Sequence, residues 1–397
     1  MRDNKKSNDG LKGFILGILT TLIVLGALFL VQNRGYLIHG NMTPTQAGAR
    51  KKIADIYYSI DKSYLGKIDD DTLTDYMCAG LVQGLGDKYS TYYTQEQYEK
   101  IMQSAGGHYS GVGVAISKNN NKEIQIESVF ENTPAFKAGI KPGDILLRVN
   151  DEDVTKLSVT EVVSRISKIK EGDVVSLTLK RDSASYQTDV TVEEVEAVSV
   201  SGKMLPDNTG YIRISEFTGV TSDQFKSAYK KLNEAGMTSL VIDLRSNPGG
   251  LVTGVCDTLR QILPKGVIVY TEDKYKNREE QKCDGKNPID IPLAVLVNKS
   301  SASASEIFAG AVKDYGIGTV VGTVTYGKGV VQDTYQLKEG GALKLTVSHY
   351  FTPKGNNING KGISPDVSVD LPENSSEDVQ LDKALEVLKG SEEGIIR

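Results

Sequence analysis

The chain has 397 residues, of which 39% are hydrophobic and 24% are charged, and its formal net charge is −5 at pH 7. This length is enough for two or three domains, and the small acidic balance excludes the basic surface that nucleic-acid-binding proteins use. Three widely spaced cysteines and three histidines predict no disulfide framework, no metal site and no cofactor. We expect the cysteines to be free and buried.

The first 31 residues predict a membrane anchor. Residues 1–12 are polar and basic, whereas residues 13–31 form an apolar run without a charge. A run of this length can cross a bilayer as a helix, and the basic residues before it place the N-terminus in the cytoplasm and the remaining chain outside. A cleavable signal peptide is the alternative. Bulky residues at 29–31 do not form a small-x-small cleavage site, so a retained single-pass anchor in the cell membrane is favoured.

Residues 45–104 predict an N-terminal helical region that follows a short polar linker. Apolar residues at helical spacing favour a first helix over 45–64 and a second helix after Asp71, which a glycine pair stops. The capping box Thr94-Gln-Glu-Gln97 starts a third helix that runs to about Ser104.

Residues 106–194 predict one small domain that is rich in strands. It contains a glycine loop at Ser110–Ile116, a short helix capped by Thr133, and a longer helix that the capping box Ser158-Val-Thr-Glu161 begins. The predicted strands are 123–129, 144–150, 174–179 and 187–192.

Strands and helices alternate over residues 195–372. The predicted strands are 211–217, 239–244, 267–271, 293–297, 319–324 and 343–350, and the predicted helices are 221–235 and 251–263. Such alternation predicts a mostly parallel sheet with covering helices. Residues 274–288 are polar and predict a surface excursion, and the tail 373–397 carries one short helix at 379–388.

Small hydroxyl residues crowd the start of a predicted helix at Ser301-Ala-Ser-Ala-Ser305, directly after the buried strand 293–297. This position offers free backbone N–H groups and the positive end of the helix dipole, which suit a nucleophile and a developing oxyanion. Helix capping and tight packing explain the same pattern equally well.

Two glycine-rich stretches favour the catalytic interpretation. Lys328 lies between Gly327 and Gly329, after an apolar strand, where desolvation would lower its pKa and let it act as a base. A serine with a neutral lysine is a known dyad for acyl transfer. Gly249 and Gly250 end another strand and could bring bare N–H groups against a substrate carbonyl, although an ordinary tight turn has the same sequence.

Together these stretches resemble the carboxy-terminal processing, or tail-specific, serine proteases that carry a PDZ domain. The resemblance covers about residues 50 to 370 and rests on an ordered set of motifs. These motifs are Asp243-Leu-Arg-Ser-Asn-Pro-Gly-Gly250, Ser301-Ala-Ser-Ala-Ser-Glu-Ile307, Asp314-Tyr-Gly316, Gly327-Lys-Gly-Val-Val-Gln332, Tyr350-Phe-Thr-Pro-Lys-Gly355 and Gly360-Lys-Gly-Ile-Ser-Pro-Asp366.

The resemblance implies a multidomain α/β protein: a transmembrane helix, a helical arm, a PDZ-like domain and a mixed α/β protease core related to the crotonase-like ββα spiral. It implies that Ser303 is the nucleophile, Lys328 the base and Gln332 the residue that positions the lysine. The N–H groups of Ala304 and of Gly249 or Gly250 would hold the oxyanion. The family also implies dimer contacts through the N-terminal helices.

The domain at 106–194 resembles a circularly permuted PDZ domain of bacterial proteases, on Gly111-Val-Gly-Val114 and Lys141-Pro-Gly-Asp144. The resemblance implies that Gly111, Val112, Gly113 and Val114 bind the C-terminus of a protein or peptide substrate as an added strand, with apolar C-termini preferred. Taken alone, the Gly-Val-Gly-Val stretch is more typical of a hairpin.

The sequence therefore predicts a membrane-anchored serine endopeptidase that cuts proteins near their C-termini. One alternative is a Ser-His hydrolase that uses His349, which lies where the family often carries an arginine. Another is a non-catalytic PDZ scaffold, against which the intact Ser303, Lys328 and Gln332 argue. Two stretches depart from the family: residues 164–172 lack its Arg-Gly-x-x-Gly-Thr form, and Asp87-Lys-Tyr89 replaces Asp-Pro-Tyr.

Overall fold

A computed structural model describes residues 44–370 and 377–392, so the predicted anchor at 13–31 lies outside the described residues. The chain divides into two compact units between Tyr76 and Met77. In the part of the chain that the structure describes, no helix combines the length and the apolar character that a membrane crossing needs. Cys78, Cys256 and Cys283 are free; the last two are buried and Cys78 is half-buried.

The predicted N-terminal helices are present. Helix α1 is Pro44–Ser63, α2 is Asp70–Gln83 and α3 is Gln95–Gly106. The capping box at α3 is confirmed, because the Gln97 N–H donates to Thr94 Oγ1 and the Thr94 N–H donates to Gln97 Oε1. Gly107 ends α3 with φ +84°, the left-handed conformation that favours glycine.

The PDZ region folds around an antiparallel sheet. Its strands lie in the order β3 (Val114–Lys118), β4 (Ile124–Val129), β5 (Ile145–Val149), β7 (Val174–Arg181) and β8 (Ala184–Thr191), and β6 (Glu152–Asp153) pairs with β5. Helices α4 (Pro134–Lys137) and α5 (Val159–Ile166) complete the domain, and the β3 strand lies at an edge of the sheet. The buried Asp144 carboxylate fixes the sheet, since Arg181 and the Tyr186 hydroxyl both donate to it.

A two-stranded ribbon connects this domain to the rest of the second unit. Strand β2 (His108–Gly111) pairs antiparallel with β9 (Glu193–Glu196). The chain thus enters and leaves the PDZ sheet through two segments that are hydrogen-bonded to each other. The first residues of the predicted glycine loop, Ser110 and Gly111, are part of β2.

The predicted protease core, at 195–372, contains the predicted parallel sheet. Its order is β10 (Val200–Met204), β11 (Thr209–Ile214), β12 (Ser239–Asp243), β15 (Leu293–Val297), β16 (Thr319–Gly322) and β19 (Val367–Ser368), and all neighbours except β10 and β11 run parallel. Helices α6 (Thr221–Glu234), α7 (Val252–Leu259) and α8 (Ala304–Tyr315) share the larger core, and α9 (Val379–Glu392) shares a second. Leu240 and Ile242 face the larger core and Val241 the other, as strand alternation requires.

A second, antiparallel sheet corrects the sequence-based topology. Strands β1 (Thr91–Tyr93), β18 (Ala342–Phe351), β13 (Gly266–Asp273) and β14 (Arg278–Cys283) lie in this order, and β17 (Val330–Gln336) also pairs with β18. The strands predicted at 267–271 and 343–350 belong here and not to the parallel sheet. The surface excursion predicted at 274–288 contains β14, which is polar because most of its side chains are exposed.

Candidate active site

Ser303 directly precedes α8 and has φ +54° and ψ −112°. A positive φ is uncommon for a residue with a side chain, and this ψ lies outside the left-handed helical region as well, so the backbone is strained. Such a conformation costs on the order of 1–3 kcal/mol and persists only where the surroundings enforce it, most often at functional sites. The Ser303 side chain is half-buried.

The two neighbouring serines have structural contacts. Ser301 is fully buried, and its hydroxyl donates to the Leu244 carbonyl at 2.8 Å. Ser305 is also fully buried, and its hydroxyl donates to the Asn247 carbonyl at 3.0 Å. Both bonds attach the start of α8 to the segment after β12. Ser303 is therefore the one serine of the Ser301–Ser305 stretch with a side chain open to a cavity.

Lys328 lies on the loop that precedes β17. Burial lowers the pKa of its ammonium, and the like charges of Lys344 and Lys88 lower it further, whereas the Glu306 carboxylate acts in the opposite direction. The Lys328 Nζ also lies 4.8 Å from the centre of the Tyr89 ring. A larger fraction of Lys328 is therefore neutral at a given pH than for an exposed lysine.

Ser303 and Lys328 line the same cavity, whose volume is about 310 Å³. Gly250, Gln332 and Lys344 also line it. Four parts of the chain form its apolar wall: α3, the start of α7, α8 and β17. Their side chains in the wall are Ile101, Met102, Leu251, Val252, Ile307 and Val330. The cavity can hold an apolar side chain next to the serine and the lysine.

Gln332 lies in β17. Its Nε2 donates to the Val330 carbonyl and to Thr346 Oγ1, both at 3.4 Å. Among the hydrogen bonds of the described residues, none joins Gln332 to Lys328. The structure brings Gln332 to the cavity, but without the predicted contact to the lysine.

The two glycines after β12 differ in what they can offer. A Cβ at Gly249 would lie 2.8 Å from Ser303 Cβ and 3.0 Å from Ala304 N, so this glycine permits the loop to pack against the serine. The Gly249 N–H donates to Asn247 Oδ1 at 2.8 Å and is thus occupied. Gly250 lines the cavity, whereas Gly249 does not, so Gly250 is the better placed of the two as an oxyanion donor.

His349 lies on an exposed position of β18, next to the buried Tyr350. Successive strand residues face opposite sides, so His349 points away from the side that Tyr350 occupies. His349 is absent from the cavity lining, whereas Tyr350 is part of it. The geometry gives the Ser-His alternative no support.

Two further residues of the site were missed in the sequence. The fully buried Glu306 carboxylate accepts hydrogen bonds from the N–H groups of Ser303 and Lys328, both at 2.8 Å. The Tyr350 hydroxyl contacts the Ser303 carbonyl at 3.1 Å and also the Lys328 carbonyl. A capping box explains Glu306 from sequence alone, and Tyr350 has the pattern of an ordinary core residue, so neither position signalled this arrangement.

The predicted carboxylate-binding loop of the PDZ domain has mixed roles. Gly111 pairs with Glu193 in the ribbon, and Val112 is buried in the domain core. Gly113 has φ +85°, and a Cβ there would lie 2.2 Å from Thr133. The Val112 and Gly113 carbonyls accept hydrogen bonds from the Ala135 and Phe130 N–H groups, which attach the loop to the rest of the domain.

The segment 164–172, which departs from the family pattern, contains one arginine. Arg165 on α5 pairs with Glu152 at 2.7 Å and donates to the Glu161 carbonyl at 3.2 Å. Both partners belong to the PDZ domain, so Arg165 makes these contacts within that domain and not with the protease core. The second departure, Lys88, lies over the rings of Tyr89 and Tyr326 near the cavity.

Comparisons with known proteins agree with this architecture. Residues 208–369 match Peptidase family S41, and residues 100–180 match the PDZ domain. A CtpA-like serine protease of Staphylococcus epidermidis (strain ATCC 12228) is 35% identical over 367 residues, covering 91% of this chain and 73% of that protein. A CtpA-like serine protease of Staphylococcus aureus (strain COL) is 34% identical over 362 residues, covering 90% and 72%. An S41 protease structure from Bacteroides fragilis NCTC 9343 shares the fold, with a TM-score of 0.53, 15% identity, and coverage of 83% and 99%.

Proposed function

Since the chain belongs to peptidase family S41 and is a serine-type peptidase of the carboxy-terminal processing group, we propose that it is a membrane-anchored endopeptidase that cuts proteins near their C-termini with a Ser303–Lys328 dyad. The observation that carries this proposal is the shared cavity, which is lined both by a half-buried serine in a strained conformation and by a lysine whose pKa is lowered by burial.

The dyad would act in two steps. The neutral Lys328 amine takes the Ser303 hydroxyl proton as Oγ attacks the scissile carbonyl carbon, and the N–H groups of Gly250 and Ala304 hold the resulting oxyanion. The Lys328 ammonium then gives its proton to the leaving amine as the peptide C–N bond breaks, which leaves an ester on Ser303. Water, deprotonated by Lys328, attacks that ester and releases the new carboxylate and the serine hydroxyl.

The PDZ domain would select substrates by their C-termini. Its β3 strand lies at a sheet edge, where an extended peptide can add as another strand. Helix α5 packs against β3, and its Val163 side chain is 50% exposed. The loop N–H groups at 111–114 precede this edge, a placement that suits a terminal carboxylate followed by apolar side chains.

Two features support membrane attachment and dimer formation, respectively. Residues 13–31 would hold the protein in the cell membrane, with residues 1–12 in the cytoplasm and the catalytic domain outside. Helix α1 exposes Ile53, Ile56 and Tyr58, and a second copy of this chain would cover such apolar side chains in a homodimer.

The test of the dyad uses the purified full-length protein and an unfolded reporter protein with a free apolar C-terminus, with fragments identified by mass spectrometry. We expect Ser303→Ala and Lys328→Ala each to lower the cleavage rate at least about 1000-fold, since the members of such a unit act together. Ser305→Ala is the matched control. It should lower the free energy of unfolding by about 1 kcal/mol through a lost buried hydrogen bond and leave kcat within about threefold. Cleavage by Ser303→Ala at the wild-type rate would contradict the dyad.

A further inference from the structure

Two side chains outside the dyad hold the backbone of both of its members. The Glu306 Oε2 atom accepts the N–H groups of Ser303 and Lys328, both at 2.8 Å. Its Oε1 atom accepts the Gly327 N–H at 2.7 Å and the Thr325 hydroxyl at 2.6 Å. A single buried carboxylate thus connects the start of α8 to the loop that carries the lysine.

Tyr350 holds the opposite ends of the same two residues. Its hydroxyl lies 3.1 Å from the Ser303 carbonyl oxygen and also contacts the Lys328 carbonyl oxygen. The hydroxyl has one proton and can donate to one carbonyl at a time. Tyr350 is 1% exposed, so little water can compete for the hydrogen bond of its hydroxyl. The N–H groups of Ser303 and Lys328 are therefore held by Glu306, and the Tyr350 hydroxyl lies within reach of both carbonyls.

The strained backbone of Ser303 requires contacts that hold it in place. A residue with φ +54° and ψ −112° relaxes unless its neighbours fix both of its peptide units. The Glu306 carboxylate binds the peptide N–H on one side of Ser303, and the carbonyl on the other side accepts the N–H groups of Glu306 and Ile307 and also contacts the Tyr350 hydroxyl. Because the same two groups also bind Lys328, the serine and the lysine are fixed relative to each other.

We propose that Glu306 and Tyr350 are positioning residues of this peptidase, and that together they hold Ser303 in its strained conformation at a fixed distance from Lys328. The proposal rests on the dyad of the proposed function. Neither residue has to touch the substrate for this role, since each acts through the backbone of a dyad member.

Because Glu306 is charged, its replacement should shift the pH dependence of kcat, which the loss of a merely structural residue would not do. Lys328 faces Lys344 from β18, Lys88 and Tyr89 from the loop before β1, and Glu306 from α8. Of the charged groups, only Glu306 raises the pKa of Lys328. Glu306→Gln should therefore move the acid limb of the kcat profile to lower pH, whereas Tyr350→Phe, which removes no charge, should leave that limb in place.

The experiment compares Glu306→Gln, Glu306→Asp and Tyr350→Phe in the full-length protein, with kcat, KM and the pH dependence of kcat measured on the same reporter protein. We expect Glu306→Gln to lower kcat about 100-fold with KM nearly unchanged, because its amide turns an N–H₂ group toward two donors and displaces the dyad. Glu306→Asp should recover part of this loss. Tyr350→Phe should lower kcat about tenfold, since only the hydroxyl is lost.

The matched controls are Glu279→Gln and Tyr275→Phe, at exposed positions away from the cavity, and both should retain wild-type kcat. Thermal melting checks that each variant is folded. Wild-type kcat in folded Tyr350→Phe would overturn the proposal even if Glu306→Gln failed to fold. A kcat loss in folded Glu306→Gln without movement of the acid limb would also overturn it. Failure of the dyad itself is recognised separately, by an active Ser303→Ala protein.

Discussion

In the proposed mechanism Lys328 must be neutral, because an ammonium cannot take a proton. Burial disfavours its charged form, and two lysines add repulsion, while Glu306 opposes both effects. The net result is a lowered pKa. Activity should accordingly rise as pH increases through the range in which Lys328 deprotonates.

The first prediction concerns Lys344, which lines the cavity beside Lys328. Lys344→Gln removes a like charge, so the pKa of Lys328 should rise and the acid limb of the kcat profile should move to higher pH. At pH 7 this means a fall in kcat of less than about tenfold. The direction is opposite to that of Glu306→Gln.

The measurement is the kcat profile at saturating substrate, which separates proton transfer from any change in substrate binding. Lys338→Gln, on an exposed turn of the same sheet, is the control and should leave the profile unchanged. An unchanged acid limb in Lys344→Gln would mean that Lys328 is not the base that the profile reports.

Residue types alone could not distinguish Ser303 from its neighbours. All three serines suit a helix start, and the resemblance to a family selected the middle one. The structure supplies the physical difference, since Ser301 and Ser305 donate to carbonyls after β12 while Ser303 opens to the cavity. Glu306 and Tyr350 could not be predicted, because the contact of Glu306 with Ser303 is an ordinary capping pattern and the contacts with Lys328 are to backbone groups 22 residues away, which carry no sequence signal.

At the scale of elements, buried strands were predictable and polar ones were not. Strands β12 and β15 are covered on both faces and appear as continuous apolar runs, a pattern that sequence reveals directly. Strand β14, with the polar sequence Arg-Glu-Glu-Gln-Lys-Cys, is a strand because β13 pairs with it. Strand β17 likewise depends on β18, and the sequence predicted no strand there.

The second prediction concerns the PDZ groove formed by the edge strand β3 and helix α5. Val112 lies in the domain core at 3% exposure, so an aspartate there would test folding instead of binding. Val163 on α5 is the better probe because it is half exposed. We expect Val163→Asp to lower kcat/KM about tenfold for a reporter with a free apolar C-terminus, through lost apolar contact and a buried charge.

This effect should be confined to C-terminal recognition. The same reporter with an amidated C-terminus should be cut at nearly equal rates by Val163→Asp and by the wild type. Val174→Asp, at another exposed valine of the domain, is the control and should behave as the wild type. If wild-type enzyme cuts the free and amidated reporters equally well, the PDZ domain does not select substrates by their C-termini.

At the scale of the whole molecule, the ribbon of β2 and β9 is the route by which the PDZ domain could influence the catalytic site. Strand β2 begins one residue after Gly107, the end of α3, and α3 contributes Ile101 and Met102 to the cavity wall. At its other end β2 runs into the loop at 111–114. The loop that we propose binds the peptide C-terminus and the helix that lines the cavity of Ser303 and Lys328 are thus consecutive parts of one short segment.

The last prediction concerns the location of the protein. As a helix, the nineteen uncharged residues at 13–31 would be about 28 Å long, close to the thickness of a bilayer core of about 30 Å. Basic residues at 1–12 should keep the N-terminus inside. We expect the full-length protein to remain in the membrane fraction after alkaline carbonate extraction, and protease added outside intact cells to remove the catalytic domain. Replacing Leu22 and Leu25 by lysine costs about 3 kcal/mol each at the helix centre and should abolish this insertion, whereas alanine at both positions should preserve it. A soluble protein that begins near residue 32 in the medium would instead identify the segment as a cleaved signal peptide.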